Sequence, residues 1–191
     1  MVAIAKRRAT YQDVLDAPAH LVAEIMAGEL VLSPRPRLGH GMVQSSLSGE
    51  LREPFGRGRG GPGGWVFFLE PELHLDRDIV VPDVAAWRRE RSPDPRDAFA
   101  TTAPDWACEV LSPSTEKHDR GKKLTIYASA GVRHAWLVNP DQRTLEILRH
   151  TEAGWLRVGT HADDDRIRAE PFDAIELDLS ALWFELPPPA P

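Results

Sequence analysis

Cysteine is almost absent from this chain, which has Cys108 alone among its 191 residues. A single cysteine cannot form an intrachain disulfide, and it excludes a zinc site built from several thiolates. Because Cys108 stands inside an apolar run, we interpret it as a small core residue rather than a nucleophile. The seven histidines are scattered and show no metal-ligand spacing. The sequence therefore predicts no thiolate or histidine metal cluster.

Long hydrophobic runs and excess positive charge are also missing. No apolar stretch approaches the ~20 residues of a membrane span, and the N-terminus lacks the apolar region of a signal peptide. We therefore expect no membrane association and a cytoplasmic protein. The formal net charge of −6 argues against strong non-specific binding to duplex DNA, which depends on phosphate neutralisation. It leaves room for a local basic groove.

The length and composition are those of one ordinary globular domain. Hydrophobic residues make up 42% and charged residues 27% of the chain, enough for a substantial core. We predict a single domain over residues 1–186, followed by a Pro-rich tail at 187–191.

The stretch 105–140 predicts a strand, a helix and a second strand. Residues 106–111 form an apolar run of strand length, and the hydroxyl-rich 112–115 is typical of a helix start. Gly131 fits the left-handed position that ends a helix, and residues 134–138 form a second apolar run. Such a unit favours two parallel strands with a right-handed crossover.

Two acidic residues stand inside apolar runs. Glu109 interrupts the run 106–111, and Asp83 lies near the centre of another run at 79–87. A buried carboxylate is costly unless a metal, a cation or hydrogen bonds compensate it. Hard cations such as Mg²⁺ take oxygen ligands and would relieve repulsion between two acids. The pair therefore suggests a divalent metal site.

The rest of the chain predicts a mixture of helices and antiparallel strands. The predicted elements are a helix at 10–17 capped by Thr10, a hairpin at 21–33 turning at 27–28, a helix at 39–55, antiparallel strands at 65–75 and 79–87, and several short strands after residue 140. Of these last strands, the alternation at 143–149 predicts one that is half-buried at best.

Arginines are concentrated in two segments. Arg57 and Arg59 lie in the glycine-rich 56–64, with Arg52 nearby, and a second group occupies 88–91. We favour a mobile loop for the first and a solvated charge run for the second. Contact with a DNA backbone is the alternative for both.

A set of short motifs resembles one nuclease family. The motifs are Pro82-Asp83, Glu109-Val110-Leu111-Ser112-Pro113-Ser114-Thr115, Asp119, Lys123-Leu124, Tyr127, Gly131-Val132 and Trp136-Leu137-Val138-Asn139-Pro140, with Glu24 to Leu30 and Ser33-Pro34 upstream. They are similar to the Uma-two family of proposed restriction endonucleases, in the PD-(D/E)XK nuclease superfamily. The resemblance covers most of the chain. It implies an α/β (α+β) fold: a restriction-endonuclease-like mixed β-sheet flanked by helices, with extra antiparallel strands.

The same resemblance implies a metal-dependent endonuclease that hydrolyses phosphodiester bonds in DNA. Asp83, Glu109 and the main-chain carbonyl of Val110 would hold Mg²⁺ or Mn²⁺. The superfamily places its lysine two residues after the acid, where this chain has Leu111. The best match for that lysine is Lys123 on the following helix.

Further site residues are expected around this group. Asp119 and Tyr127 are spaced four residues from Lys123 on either side, so the three lie along one helical face. Glu24 is either a solvent-facing acid at a strand edge or an accessory catalytic acid. His40 is either a cap or surface residue or faces the cleft.

Two alternatives to the DNA endonuclease remain. The first is a catalytically degenerate module on the same fold that binds nucleic acid or protein, which Leu111 and the acidic net charge favour. The second is a dimeric partner-binding protein that uses exposed β surface and aromatic residues. A homodimer is compatible with either function.

Overall fold

Three β-sheets organise residues 7–183, the part of the chain that this computed structural model describes. The predicted tail at 187–191 and the last residues of the predicted domain lie outside the described residues. The largest sheet has six strands in the order β10-β9-β8-β7-β6-β3, and a four-stranded sheet has the order β2-β1-β5-β4. The third sheet pairs β11 with β12.

The strands are β1 Leu21–Met26, β2 Glu29–Pro34, β3 Trp65–Leu69, β4 Leu73–Leu75, β5 Asp78–Val80, β6 Val84–Arg88, β7 Trp106–Val110, β8 His134–Asn139, β9 Thr144–Thr151, β10 Gly154–Ala162, β11 Arg166–Ile167 and β12 Leu177–Asp178. The α-helices are α1 Tyr11–Leu15, α2 Leu38–Leu51, α3 Glu116–His118 and α4 Leu124–Ser129. Wider π-helical turns follow α2 at Arg52–Gly56 and join α3 to α4 at Asp119–Lys123, and 3₁₀ turns span Arg89–Arg91 and Leu179–Leu182. No described helix combines the length and hydropathy needed to cross a membrane.

The predicted strand–helix–strand unit is confirmed. β7 and β8 are parallel neighbours, and α3 and α4 lie between them in the chain. The hairpin is also confirmed, because β1 and β2 pair around a two-residue turn. Ala27 and Gly28 in that turn both have positive φ, as the tight turn of a twisted hairpin requires. The mixed sheet flanked by helices agrees with the predicted α+β fold class.

The single strand predicted at 79–87 is wrong. The chain forms β5 and β6 instead, with Pro82 between them, and a proline has no N–H for a ladder hydrogen bond. β5 joins the four-stranded sheet, whereas β6 joins the six-stranded sheet. The predicted strand at 65–75 divides in the same way into β3 and β4. Asp83 therefore lies at the junction of two sheets and not in the middle of a strand.

The prediction that 143–149 is half-buried at best is also wrong. Residues 145–148 of β9 are all buried. Leu145 and Ile147 belong to one apolar core, and Leu148 belongs to the other. The two cores cover opposite faces of the six-stranded sheet, with α2 in the first and α4 in the second. An apolar residue on either face is therefore buried, which the alternation alone does not reveal.

Candidate active site

The carboxylate of Glu109 is buried beneath α4. Alternation along β7 sends Glu109 to the same sheet face as Ala107, whose core also contains Tyr127. The hydroxyl of Tyr127 donates a hydrogen bond to Oε1 of Glu109, and Nζ of Lys123 donates to Oε2 over 3.0 Å. Only 2% of Glu109 is exposed. The cost of burying this acid is thus offset by an ammonium and a hydroxyl donor.

Lys123 reaches several oxygens besides that of Glu109. Its Nζ lies 3.2 Å from Oε1 of Glu24 and 3.5 Å from Oδ1 of Asp119, and it donates to the carbonyl of Val81 over 3.0 Å. Lys123 is 5% exposed. The helix after β7 therefore does bring its lysine back to the strand acid, although Leu111 occupies the expected position.

The solvent-facing alternative for Glu24 is wrong. Its side chain is buried, and its Oε1 also accepts the N–H of Val81 over 2.8 Å. Because β1 pairs with β5, the four-stranded sheet carries Glu24 to the junction where β5 ends. Glu24 from β1 and Asp119 from the π-helical turn thus both contact the ammonium of Lys123.

Asp83 is held by α2 on one side and by β7 on the other. Nε2 of His40 lies 2.7 Å from its Oδ1, and the N–H of Val110 donates to its Oδ2 over 2.7 Å. The cap or surface alternative for His40 is therefore wrong, because the ring faces the cleft. The Val110 N–H contact also places Asp83 directly beside the end of the strand that bears Glu109.

Gln44 is a site residue that the sequence analysis missed. Its side-chain amide donates to the main-chain carbonyl of Asp83 over 2.7 Å, and the N–H of Glu70 donates to the same oxygen over 3.0 Å. Gln44 follows His40 by four residues on α2, so the two share one helical face. The four-residue spacing from His40 is the sequence feature that could have indicated Gln44 as a site residue.

The cluster holds more negative than positive charge. Burial raises the pKa of Glu109 well above its usual value, with Asp119 and Asp83 adding to the rise and Lys123 opposing it. Burial also raises the pKa of Asp119, again against Lys123. For Lys123, burial alone lowers the pKa, but the surrounding carboxylates outweigh it and raise the pKa well above its usual value. The ammonium is therefore protonated at neutral pH.

A cavity of about 610 Å³ opens above these side chains. Six acids line it together with Lys123, and the segment 35–37 between β2 and α2 contributes Arg35 and Arg37. The six acids are Glu24, Glu70, Asp83, Glu109, Asp119 and Asp141. The lining also includes Ser112, Ser114 and Thr115 from the loop after β7. The cavity thus combines an acidic interior with arginine and hydroxyl side chains.

The donor atoms fit a hard divalent cation that keeps much of its water. No cluster of three or more candidate ligands is preformed within residues 7–183. Mg²⁺, however, is commonly held by one or two carboxylates and several waters. Each oxygen of Asp83 and Glu109 already accepts one hydrogen bond, and a carboxylate oxygen has a second lone pair. The surplus of carboxylates over cations also favours a bound cation.

The chain resembles a solved structure and matches one family. The crystal structure of a "putative nuclease" from Anabaena variabilis ATCC 29413 aligns with a TM-score of 0.75 and 21% identity, covering 92% of this chain and 97% of that one. At that identity the likeness shows the fold alone. No curated protein matches the chain. The Uma2 family model, described as "Putative restriction endonuclease", matches residues 9–180. Since this match spans most of the sequence, the chain belongs to the Uma2 family of nucleases, the putative restriction endonucleases.

Proposed function

We propose that the protein is a metal-dependent endonuclease that hydrolyses phosphodiester bonds in DNA. The observation that carries the proposal is the 3.0 Å contact between Nζ of Lys123 and Oε2 of Glu109. The superfamily has its lysine at the position of Leu111, and the lack of a lysine there favoured a catalytically degenerate module. The contact brings the ammonium of Lys123 to the same acid. Together with Asp83, it gives the two acids and one cation that the nuclease superfamily uses.

Asp83, Glu109 and the main-chain carbonyl of Val110 are the proposed ligands of Mg²⁺ or Mn²⁺. Bound there, the ion would polarise the scissile phosphate and lower the pKa of a coordinated water. His40 and the N–H of Val110 fix the carboxylate of Asp83, while Tyr127 fixes that of Glu109. These three contacts orient the acids before any ligand arrives, which lowers the reorganisation cost of the reaction.

Lys123 acts in this proposal as an electrostatic catalyst and not as a general base. Its pKa is raised, so the ammonium keeps its proton at neutral pH. A fixed positive charge in a buried site stabilises the negative charge that develops on the phosphate in the transition state. Glu24 and Asp119 hold the ammonium in place through their contacts with Nζ.

The test is nicking of supercoiled plasmid DNA with Mg²⁺ or Mn²⁺. Asp83→Ala and Glu109→Ala should abolish nicking, as should the nearly isosteric Asp83→Asn and Glu109→Gln, which preserve the shape of the site. Glu72→Gln is the matched control, because Glu72 pairs with His74 outside the cavity. Unchanged nicking in both isosteric variants would contradict the proposal.

The proposal also covers the cellular location, the partner and the oligomeric state of the protein. We place the enzyme in the cytoplasm with DNA as its partner, and a homodimer would present one cavity to each strand of a duplex. Light scattering with and without a DNA duplex measures the oligomeric state.

A further inference from the structure

Hydrogen bonds join two arginine-bearing segments that are far apart in the sequence, residues 52–64 and residues 88–91. The main-chain N–H of Arg89 donates to the carbonyl of Gly64 over 2.9 Å, and its guanidinium donates to the carbonyl of Gly56 over 3.0 Å. Arg88 pairs with Trp65 in the sheet, and its guanidinium lies 4.1 Å from the centre of the Trp65 ring. We call the combined region the arginine surface; it comprises Arg52, Arg57, Arg59, Arg88, Arg89 and Arg91.

The arginine surface carries unpaired positive charge. Arg57 and Arg59 share the carboxylate of Glu53, at 2.5 and 3.5 Å, and Arg91 pairs with Asp105. By contrast, three of the six guanidinium groups pair with no carboxylate of residues 7–183, and all three residues are exposed. These are Arg52, Arg88 and Arg89. Against Glu53, Glu90 and Asp105, the six arginines leave an excess of three positive charges, on a chain whose net charge is −6.

Two elements run from the candidate active site to this region. β6 starts one residue after Asp83 and ends at Arg88, and α2 carries His40 near its start and is followed by Arg52. The 14 residues of α2 span about 21 Å at the usual helical rise. At roughly 3.4 Å per base step, that is about six base pairs of duplex DNA. A duplex lying along α2 would therefore meet both regions.

We propose that the arginine surface binds the phosphate backbone of duplex DNA about half a helical turn from the bond in the cavity. This inference rests on the proposed nuclease function for the position of the DNA. Guanidinium groups suit phosphates because their planar donors can bind two oxygens at once. The acidic remainder of the protein repels DNA, so attraction confined to this region also sets the orientation of the duplex.

The salt dependence of DNA binding tests the proposal. Fluorescence anisotropy with a labelled duplex of about two helical turns, without divalent metal, reports the affinity while the DNA stays intact. The triple variant Arg52→Gln/Arg59→Gln/Arg89→Gln should lose about 2.7 from the slope of log K against log salt concentration. Between about 50 and 200 mM salt, wild-type protein should then lose about 40-fold more affinity than the variant.

Two matched variants separate phosphate contact from other effects. The charge-preserving Arg52→Lys/Arg59→Lys/Arg89→Lys should keep a slope near that of the wild type. A second glutamine triple, Arg96→Gln/Arg166→Gln/Arg168→Gln, makes the same change in net charge outside the arginine surface and should also keep the slope. Circular dichroism checks that each variant is folded.

The results distinguish this surface from the nuclease function. Two results would each contradict phosphate binding by the arginine surface, even if the protein nicks plasmid DNA. The first is a slope of log K against log salt concentration that is unchanged in Arg52→Gln/Arg59→Gln/Arg89→Gln, and the second is an equal fall of that slope in Arg96→Gln/Arg166→Gln/Arg168→Gln. A slope that falls only in the first triple would support the surface even if no variant or wild-type protein nicks DNA. If the wild-type protein binds no duplex, the proposed DNA binding by the arginine surface is wrong.

Discussion

Lys122 and Lys123 are adjacent in the sequence but lie in opposite environments. Lys122 is a surface residue with 39% of its side chain exposed, and its Nζ lies 3.2 Å from Glu29. Lys123 is almost fully enclosed by carboxylates. A surface ion pair contributes little to stability, whereas removing one partner of a buried ion pair leaves uncompensated charge.

The two lysines should therefore respond differently to the same substitution. We expect Lys123→Met to lower the free energy of unfolding by about 3–5 kcal/mol and to abolish nicking. Lys122→Met should cost less than about 1 kcal/mol and leave nicking unchanged. Urea denaturation followed by tryptophan fluorescence measures both variants. Equal losses in the two variants would show that the carboxylates around Lys123 do not depend on its charge.

His134 gives an expectation for stability against pH. Burial lowers the pKa of His134 below its ordinary value of 6.5, reinforced by Arg149 and Arg133 and opposed by Glu170. The folded protein therefore binds fewer protons than the unfolded chain just below pH 6.5. This contribution to stability is complete above pH 6.5 and is lost as the pH falls toward the lower folded-state pKa.

Thermal unfolding between pH 7 and pH 5 checks this expectation. His134→Gln should show a smaller fall in melting temperature over that range than the wild-type protein. His20→Gln, which changes an exposed histidine, should follow the wild-type curve. If the His134 variant also follows that curve, protonation of this ring does not contribute to acid destabilisation.

At the scale of single residues, spacing along one helix was predictable and main-chain contacts were not. The four-residue spacing of Asp119, Lys123 and Tyr127 placed all three beside the buried acids. The carbonyl of Val81, which accepts from Lys123, carries no such signal. Its position depends on the break at Pro82, which sequence periodicity did not reveal.

Elements with local start and stop signals were predicted better than elements whose partners are distant. The β7–helix–β8 unit has a hydroxyl-rich helix start and a glycine at its end, so the chain itself marks its limits. The π-helical turn at Asp119–Lys123 has no comparable mark. The sequence also has no local mark that assigns β5 and β6 to different sheets, because strand pairing is decided by packing across the whole molecule.

The helix that carries Lys123 is tied to the sheet by Arg120. Its guanidinium lies 2.7 Å from Glu116 on the same helix and 2.5 Å from Glu146 on β9. Arg157 on β10 is the other partner of Glu146, at 3.1 Å. Since Arg120 belongs to the same π-helical turn as Lys123, this ion pair holds the turn that positions the ammonium of Lys123.

We expect Arg120→Ala to lower stability by about 1–3 kcal/mol and to slow nicking, because the turn loses its tie to β9. Arg157→Ala removes the other partner of Glu146 without touching the helix, so it should leave nicking unchanged. Urea denaturation and nicking rates under saturating metal measure the two effects. Equal nicking rates in the two variants would mean that the ion pair between Arg120 and Glu146 does not position Lys123.

At the scale of the molecule, the cavity lies where the two larger sheets meet the start of α2 and the π-helical turn Asp119–Lys123. Neither apolar core closes this junction, so charged side chains occupy it. Four of its carboxylates act on the ammonium of Lys123, those of Glu24, Asp83, Glu109 and Asp119. Burial raises the pKa of two of them, Glu109 and Asp119. These carboxylates therefore repel one another in the folded state, and a bound divalent cation would reduce that repulsion.

Binding of Mg²⁺ should for this reason stabilise the fold. At about tenfold the dissociation constant, a ligand that binds only the folded state adds about 1.4 kcal/mol. For a chain of this size that corresponds to a rise in melting temperature of about 3–6 °C. Differential scanning fluorimetry against a MgCl₂ series, with NaCl added to equal ionic strength, measures the rise.

Glu109→Gln separates binding at the cavity from general salt effects. The variant keeps the size of the side chain but removes a proposed ligand and one of the four negative charges, so its melting temperature should not rise with Mg²⁺. Glu72→Gln removes an equal charge outside the cavity and should show the wild-type rise. An equal rise in all three proteins would place the stabilising cation elsewhere on the surface and would contradict a metal site in the cavity.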